Sequence, residues 1–472
     1  MCGIIGIAGF KAGTDSDDQA KELVLKGLEI MKNRGPDNTR IAAIGTKEVE
    51  GYFGHNLLSI VGHVPQPIPG KKGIIISNCE IYNWKELNSK YKLNAKNDSD
   101  LLLQLLQEKG TSCLEELDGV YAFAYFEGEE IILARDLIGV KPLHHYTQPI
   151  SGEELKFELF FASEKKALPK ESIELNPRQI LKYNIKTKKI IFENREFFKL
   201  RKEELNEERV KKLLINSVKK RLPPKEDKVN VGILFSGGID STVIAKIVTD
   251  LGYDVTCYSA GFQDERTKDP EDLVVARQVA NDMNLKYKEK ILNLEEVEKE
   301  LKKIIPIIEE ADVVKAGVAL PFSVCCNMAK QDGVRVIFSG LGSEEIFAGY
   351  QRHKETTKTI NEECMTGLKA MHERDLYRDD VITMNYGIEL RLPFLDKELV
   401  EYALSIPGED KIVNGVEKAI LRKISKELGV VSYVCDRKKR AAQYGSRFDS
   451  AMKKLAHKNG FETRKKYISQ FL

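Results

Sequence analysis

The hydrophobic and polar positions follow one pattern before residues 194–206 and another after them. Before this junction, short apolar stretches predict strands at residues 74–77, 120–126, 130–134, 179–184 and 189–192, with helices near 17–33 and 99–109. After it, a helix near 207–221 precedes apolar runs that predict buried strands at 229–235, 255–262, 288–292 and 334–338, with helices near 242–252 and 270–283 between them. This strand–helix–strand alternation predicts a parallel sheet with right-handed crossovers in the second part.

Length, charge and cysteine spacing limit the function classes. A chain of 472 residues suggests about three ordinary domains or two large ones. The 74 basic and 72 acidic side chains leave a net charge of +2, so no overall field favours nucleic acid or an acidic membrane. Eight irregularly spaced cysteines form neither a disulfide framework nor a zinc pattern, so we expect a reducing, cytoplasmic location. We find no apolar run of membrane-spanning length and no signal peptide.

A Ser-Gly-Gly-Ile-Asp-Ser run, the first glycine loop (residues 236–241), follows the predicted strand 229–235. Its two glycines let backbone N–H groups approach a ligand closely, and its two serines add hydroxyl donors. The start of the next helix adds a positive dipole end, so the arrangement suits phosphate oxygens. Asp240 would repel such an anion unless a cation lay between them, which predicts a Mg²⁺ ligand. The alternative is an ordinary strand–turn–helix with small residues at the turn.

The first glycine loop resembles the pyrophosphate loop of the ATP pyrophosphatases. The chain lacks the G-x-x-x-x-G-K-S/T phosphate loop. The resemblance implies that ATP is cleaved between its α and β phosphates and that an acyl- or aryl-adenylate forms. A second glycine loop, residues 339–345, follows the strand at 334–338. Parallel sheets bind ligands at the carboxyl ends of their strands, so we expect both loops at the ligand site.

The chain starts with a glycine-interrupted apolar strand and a cysteine at position two. Removal of the initiator methionine would leave Cys2 with a free α-amine. An α-amine has a pKa of about 7.7–8.0, so it can accept the proton of its own thiol at physiological pH. An inert second residue is the alternative.

Motifs at residues 31–37, 54–61, 77–83, 97–100, 118–124 and 135–143 together resemble the class II glutamine amidotransferases. The resemblance covers about residues 2–195 and implies two antiparallel sheets between helix layers, the N-terminal-nucleophile sandwich. It implies that Cys2 attacks glutamine, with the Asn78 side chain and the Cys79 backbone N–H as donors to the oxyanion. The glutamine-binding residues that it implies are Ser59, Ile60, Val61, Asn78, Glu80 and Asp100.

Two residues depart from the amidotransferase motifs. Cys79 stands where that family usually has glycine, so we expect its side chain to crowd the approach to the oxyanion. Leu57 stands where the family has an arginine that binds the glutamine α-carboxylate. Arg34 and Arg40 are the candidates to replace it. An unreplaced arginine would weaken glutamine binding by a few kcal/mol, at about 1.5–3 kcal/mol for each charged hydrogen bond.

The two glycine loops, with residues 387–396 and 437–445, resemble the synthetase domain of the asparagine synthetases over about residues 207–450. The resemblance implies Mg²⁺ held by Asp240 and Glu344. It gives Lys439 a place beside the pyrophosphate, with a solvated basic run as the alternative. Glu389 and Asp396 are candidates to hold the acceptor amino acid or, alternatively, structural ion pairs. The implied ATP-binding residues are Leu234, Ser236, Gly237, Gly238, Asp240, Ser241, Ala260, Ser339 and Gly340.

Two further departures concern the acceptor and the pyrophosphate. Leu341 stands where the synthetases have a glutamate that acts near the adenylate, and β-lactam synthetases also lack that glutamate. Residues 312–317 lack the usual Thr and Arg near the pyrophosphate, where Lys315 is a candidate to compensate.

The complete architecture resembles a glutamine-hydrolysing ligase with an amidotransferase domain at 2–195 and an ATP pyrophosphatase-type synthetase domain at 207–472. It predicts ATP-dependent carbon–nitrogen ligation in which ammonia from glutamine amidates the β-carboxylate of aspartate. The expected substrates are glutamine, aspartate and ATP, with Mg²⁺, and the expected partners include neither nucleic acid nor a membrane. The alternatives are a ligase of the same architecture for another carboxylate and a non-catalytic nucleotide or amino-acid sensor. A homodimer is one assembly that the sequence leaves open.

Overall fold

The computed structural model describes residues 2–11, 13–46, 49–60, 62–147, 158–264, 269–355, 359–437 and 442–472, with side chains omitted at 442 and 443. The chain divides into two units, Met1–Phe197 and Phe198–Leu472.

The first unit is built on two antiparallel sheets with strand orders β10-β8-β9-β1-β3-β2 and β12-β11-β7-β6-β5-β4. The strands are β1 (Gly3–Lys11), β2 (Asn38–Gly45), β3 (Val49–Leu57), β4 (Ile68–Pro69), β5 (Gly73–Ile81), β6 (Gly119–Glu127), β7 (Glu130–Arg135), β8 (His144–Tyr146), β9 (Leu159–Ala162), β10 (Ile173–Glu174), β11 (Gln179–Asn184) and β12 (Ile190–Asn194). The helices are α1 (Asp15–Ile30), α2 (Trp84–Lys90) and α3 (Asp98–Lys109).

Apolar side chains on both faces of each sheet bind these layers together. The core between the two sheets includes Ile4, Ile76 and Phe161, which are all fully buried. The outer face of the first sheet packs against α1, and that of the second sheet packs against α3. Buried apolar surface of this kind is the main driving force for folding. The predicted sandwich of two antiparallel sheets between helix layers is therefore confirmed.

Strand β5 is longer than the predicted strand at 74–77. It continues through Asn78 and Glu80 to Ile81, with Asn78 opposite Ala122 of β6. Both polar residues are buried. Buried polar residues break the apolar pattern from which strands are predicted, and this concealed the second half of β5.

The second unit contains one parallel sheet with strand order β15-β14-β13-β16-β17. The strands are β13 (Asn230–Leu234), β14 (Val255–Phe262), β15 (Lys286–Leu292), β16 (Val334–Phe338) and β17 (Glu389–Arg391). The helices are α4 (Glu207–Lys219), α5 (Ile239–Asp250), α6 (Glu271–Asp282), α7 (Leu294–Ile308), α8 (Val313–Gln331), α9 (Ser343–Phe347), α10 (Arg352–Glu355), α11 (Ile360–Met371), α12 (Tyr377–Asn385), α13 (Lys397–Ser405), α14 (Gly408–Lys411), α15 (Ala419–Glu427), α16 (Ser432–Asp436), α17 (Ala442–Gly445), α18 (Phe448–Lys458) and α19 (Arg464–Ser469).

The parallel pairing of these five strands confirms the parallel sheet predicted for the second part of the chain. Strands β13 and β16 are parallel neighbours, so the two glycine loops both follow the carboxyl ends of adjacent strands. The edge strand β17 was not predicted, because two of its three residues are charged. Helix α5 begins at Ile239 rather than near residue 242, since Gly238 already caps it and its carbonyl accepts from Thr242 N. Asp240 therefore lies in the first helical turn.

Helix α8 corrects one expectation from the sequence. Its 19 residues are long and apolar enough to cross a membrane by length and composition alone. More than half of the helix is buried, and it packs against β14, α7 and α12. These contacts are those of a core helix, and its apolar composition follows from its burial among them.

Candidate active sites

Cys2 lies immediately before β1 and is buried beside Asn78. The Cys2 backbone nitrogen donates to Asn78 Oδ1 at 2.9 Å. Asn78 Nδ2 is also buried, and no hydrogen-bond partner for it is found among the described residues. The same amide thus holds the Cys2 nitrogen with its oxygen and keeps a donor for a negatively charged oxygen.

Arg34 lies on the other side of the Cys2 backbone and is 1% exposed. Its Nε donates to the Cys2 carbonyl oxygen at 3.1 Å, and its Nη1 donates to Glu164 Oε1 at 2.8 Å. These bonds make Arg34 part of the support of Cys2 rather than a residue placed to bind a glutamine α-carboxylate. Arg40, the other candidate, is exposed on β2. Leu57 is buried at the end of β3.

The Cys79 side chain lies on the α3 side of β5, because neighbouring residues of a strand face opposite sides. Its Sγ is 3.3 Å from Ser99 Oγ and 3.7 Å from Asp98 Oδ2. The expected crowding of the oxyanion by this side chain is therefore wrong, since Asn78 faces the other way. Burial raises the pKa of the Cys79 thiol well above its usual value, so this thiol stays protonated.

The remaining described residues implied in glutamine binding come from the segment after β3, from β5 and from α3. Ser59 N donates to Asp37 Oδ2 at 2.7 Å, and Ile60 and Glu80 are buried. Val61 lies outside the described residues. Asp100 accepts from Lys96 N at 2.9 Å and from Gln104 Nε2 at 3.2 Å.

Asp98 is a buried carboxylate that the sequence interpretation missed. Its Oδ2 accepts from Ile81 N at 3.1 Å, next to the strand that carries Asn78 and Glu80. Asp98 is therefore bonded directly to β5, whereas the bonds of Asp100 are to Lys96 and Gln104. No local signal distinguished the two, because both fall in the first turn of α3.

The two glycine loops of the second unit touch each other at Gly340 and Asp240. A Cβ built on Gly340 would lie 2.6 Å from Asp240 Cβ, which is closer than real Cβ atoms approach. Gly237 has φ +67°, and a Cβ there would lie 2.8 Å from the Ala276 backbone nitrogen. Glycine is required at both positions, because only its backbone fits these approaches.

Hydroxyl groups brace the turn of the first glycine loop. Ser241 Oγ accepts from Ser236 N at 3.3 Å, and Ser236 Oγ accepts from Gly238 N at 3.3 Å. Ser339 Oγ accepts from Leu341 N at 3.3 Å in the second glycine loop. The other residues implied in ATP binding, Leu234 and Ala260, lie buried at the carboxyl ends of β13 and β14.

Lys418 joins the two glycine loops and was missed by the sequence interpretation. Its Nζ lies 2.6 and 2.7 Å from the two Asp240 carboxylate oxygens and 2.8 Å from Glu344 Oε1. A fourth contact reaches Ser343 Oγ at 2.8 Å. Lys418 is 2% exposed, and burial lowers its pKa against the opposing effect of Asp240.

Comparison with known proteins covers both units. A family model described as "Asparagine synthase" matches residues 209–363 and 354–467, and one described as "Glutamine amidotransferase domain" matches residues 1–209. The chain is 34% identical to "Putative asparagine synthetase (glutamine-hydrolyzing) 1" of Methanocaldococcus jannaschii, over 100% of this chain and 98% of that protein. It is 30% identical to "Asparagine synthetase B (glutamine-hydrolyzing)" of Escherichia coli, over 89% of this chain and 78% of that protein.

The chain belongs to the asparagine synthetase family. In the second unit, the two candidate acceptor residues are both held in ion pairs. Glu389 pairs with Arg391 at 2.5 Å. Asp396 pairs with Arg221 at 2.7 Å and with Lys220 at 2.6 Å. These contacts fit the structural alternative that the sequence left open. Lys439 lies outside the described residues.

A second charged cluster surrounds Glu345, the neighbour of Glu344 on α9. Glu345 accepts from Tyr350 Oη at 2.9 Å and from Arg374 Nη2 at 2.5 Å. Its Oε2 is buried without a hydrogen-bond partner among the described residues, and burial raises its pKa. Arg374 Nε also donates to Asp375 Oδ2 at 2.6 Å, from a π-helical turn between α11 and α12. Such turns are frequent at functional sites.

Proposed function

We propose that the chain makes asparagine from aspartate, with glutamine as nitrogen donor and ATP as the activating nucleotide. The observation that carries this proposal is the meeting of the two glycine loops at Lys418, where Asp240, Glu344 and a buried cation converge. Such a group of charges beside backbone N–H donors suits the transfer of a nucleotidyl group. The match of both halves of the chain to the family supports the pairing of this site with a glutaminase.

In the first unit, the proposed reaction begins at Cys2 after removal of Met1. The α-amine takes the thiol proton, and the thiolate attacks the side-chain carbonyl of glutamine. The oxyanion is positioned to accept from Asn78 Nδ2 and the backbone N–H of Cys79. The protonated amine then donates to the departing ammonia, and water hydrolyses the thioester to give glutamate. One such oxyanion donor is typically worth about 10²–10³ in rate.

In the second unit, the proposal places ATP phosphates at the first glycine loop and at the start of α5. The aspartate β-carboxylate attacks the α-phosphorus, pyrophosphate leaves, and ammonia then displaces AMP from the β-aspartyl adenylate. Lys418 is available to exchange its carboxylate contacts for phosphate oxygens, and Lys439 is proposed to assist from the 437–445 loop. Both cations would stabilise charge that builds during adenylation.

The carboxylates of Asp240 and Glu344 fit a hard divalent cation, because oxygen atoms from both loops converge where Lys418 Nζ lies. We propose that these two residues hold Mg²⁺, which supplies neutralisation of the phosphate charge when bound. Lys418 Nζ would then give up its carboxylate contacts and pair with the phosphates.

For the acceptor, the cluster of Glu345, Arg374 and Asp375 has groups of both signs, as an amino acid requires. We propose that it receives the α-ammonium and α-carboxylate of the acceptor, with Glu389 and Asp396 retained as the alternatives. Leu341 favours a second candidate function, ligation at another carboxylate. An apolar side chain there cannot act on ammonia as a carboxylate would.

We also propose that the amidotransferase domain spans residues 2–195, that the synthetase domain spans 207–472, and that the protein works in the cytoplasm. The cysteines from Cys79 to Cys435 form no disulfide, which supports a reducing location.

The decisive experiment measures pyrophosphate release over a panel of carboxylate acceptors, with glutamine or ammonium as donor. We expect release with aspartate and ATP, and asparagine as the product identified by mass spectrometry. Turnover with another acceptor and none with aspartate would favour the second candidate. Absence of ATP-dependent turnover with every acceptor would exclude a ligase and leave the sensor.

A further inference from the structure

The first residue of the processed chain needs unusual support if it carries a nucleophile. Chain termini are poorly ordered unless other residues tie them down. Cys2 is held through its nitrogen by Asn78 and through its carbonyl by Arg34. Two residues later, Ile4 N donates to Ser163 Oγ at 3.0 Å, and Ile4 O accepts from Ser163 N at 2.9 Å. The segment after β9 therefore runs alongside the start of the chain.

Glu164 follows Ser163 and orients the arginine that supports Cys2. Its side chain is 3% exposed, and it forms an ion pair with Arg34 at 2.8 Å and another with Lys166 at 2.6 Å. Burial alone would raise the pKa of Glu164, but Lys166 and Arg34 outweigh it and hold this pKa below its usual value. Glu164 is therefore ionised at neutral pH. A bidentate or paired arginine has a fixed direction, whereas an unpaired buried arginine does not.

We propose that Glu164 is a positioning residue for glutamine hydrolysis, acting through Arg34 on the Cys2 carbonyl. The inference rests on the proposed glutaminase function of the first unit. Glu164 touches neither the thiol nor the amide carbon. It fixes the guanidinium that fixes the backbone of the nucleophile.

The same pair sets the charge near the α-amine. Arg34 disfavours a protonated amine, and Glu164 offsets that effect. The other titratable groups on the elements next to Cys2 and the Arg34–Glu164 pair are Cys79 and Glu80 on β5, Asp98 at the start of α3, Lys166 beyond β9 and His55 on β3. Burial lowers the pKa of His55 to about 3, so it stays neutral throughout the working range. Removal of the Glu164 charge alone leaves the positive charge of Arg34 less compensated. This lowers the pKa of the α-amine, so the amine stays neutral to a lower pH.

The test compares Glu164→Gln and Glu164→Asp with the control Glu158→Gln, whose carboxylate pairs with the exposed Lys188 in the same unit. For Glu164→Gln we expect glutaminase kcat to fall about 10- to 100-fold, as for a nucleophile misplaced by about 1 Å. KM for glutamine should change little. The acid limb of the kcat/KM pH profile should shift to lower pH by about half a pH unit or more. Glu164→Asp should return the acid limb to its wild-type position on the pH axis. Ammonia-dependent pyrophosphate release should stay at the wild-type level in every variant.

A buried unpaired arginine can prevent folding, so the double variant Arg34→Met/Glu164→Met completes the test. Replacing a buried ion pair by apolar residues is often neutral for stability. We expect this variant to fold, to keep ammonia-dependent activity and to lose glutaminase kcat without the shift in the acid limb.

Wild-type glutaminase kcat in the double variant, or a wild-type profile in folded Glu164→Gln, would overturn the inference. Equal losses of glutamine- and ammonia-dependent activity with a lower melting temperature would overturn it as well, since they indicate a purely structural role. Cys2→Ala separates this inference from the proposed function. Glutaminase that survives Cys2→Ala would refute the function itself, whereas its loss in Cys2→Ala but not in the Glu164 variants refutes only the positioning role.

Discussion

The Lys418 ammonium lies 2.6 and 2.7 Å from the two carboxylate oxygens of Asp240, although 178 residues separate them in the chain. The same ammonium contacts Glu344, so it neutralises one carboxylate from each glycine loop. A lysine that is almost fully buried is rare unless it is paired in this way. Its position ties the two glycine loops together and is the basis of its proposed role as a phosphate ligand.

Lys418→Met should lower pyrophosphate release by about 10²- to 10³-fold, the usual effect of removing one charge-stabilising donor. It should also lower the melting temperature, because the buried Glu344 and the half-buried Asp240 lose the Lys418 cation, at a cost of up to about 3–5 kcal/mol. Lys426→Met on α15, the helix that follows Lys418, is the matched control, since Lys426 is exposed and pairs with Asp436 at the surface. Equal release by both variants would contradict a role for Lys418 in the reaction.

Asp240→Asn should remove pyrophosphate release even at saturating Mg²⁺, because a neutral amide is a weaker ligand for a hard cation. The control is Asp250→Asn at the other end of α5, where the carboxylate forms an exposed pair with Lys246. Release should be measured over a range of Mg²⁺ concentrations for both variants. An Asp240→Asn curve that coincides with the control curve would refute the metal role.

Cys2→Ala should abolish glutamine-driven asparagine formation and leave the ammonia-driven reaction within about twofold, since only the thiol supplies the nucleophile. Product formed from each nitrogen source can be measured on the same preparation, which makes the ammonia reaction an internal control for folding. Loss of both reactions would count against two separate sites. Mass spectrometry of active enzyme should find Cys2 as the first residue, and retention of Met1 would exclude the α-amine as base.

Lys411 predicts a pH dependence of stability in the second unit. It is fully buried, its Nζ donates to Asn361 Oδ1 at 2.6 Å, and burial lowers its pKa to about 8. Between about pH 8 and the unfolded value near 10.4, the unfolded chain binds more protons than the folded chain. The free energy of unfolding should therefore rise with pH across this window, by an amount on the order of 3 kcal/mol at most.

Urea unfolding at several pH values from 7.5 to 9.5 tests this prediction. Lys411→Met should lose the rise, whereas Lys369→Met, which changes an exposed lysine on α11, should keep it. A rise of the same size in both variants would assign the pH dependence to other groups.

The sequence predicted the features that depend on local pattern. The apolar strand 229–235 and its glycines identified the first glycine loop, and the family motifs brought Cys2 and Asn78 together. The sequence did not reveal Lys418 or Glu164, which reach their partners across 178 and 130 residues. No local periodicity encodes such contacts, since tertiary folding alone brings these residues together. The predicted orientation of the Cys79 side chain was wrong. The buried polar residues at the end of β5 concealed the strand there, and the strand determines which face of the sheet this side chain occupies.

The approach of Gly340 to Asp240 has a consequence for changing what this enzyme accepts. The two loops share a boundary with no room for even a methyl group, so a larger residue at 340 would displace the carboxylate at 240. A side chain at 340 would therefore disturb the proposed Mg²⁺ ligand Asp240 together with the second glycine loop. Leu341 already carries a side chain, so substitutions that test its proposed part in acceptor choice should disturb the two loops less than substitutions at 340.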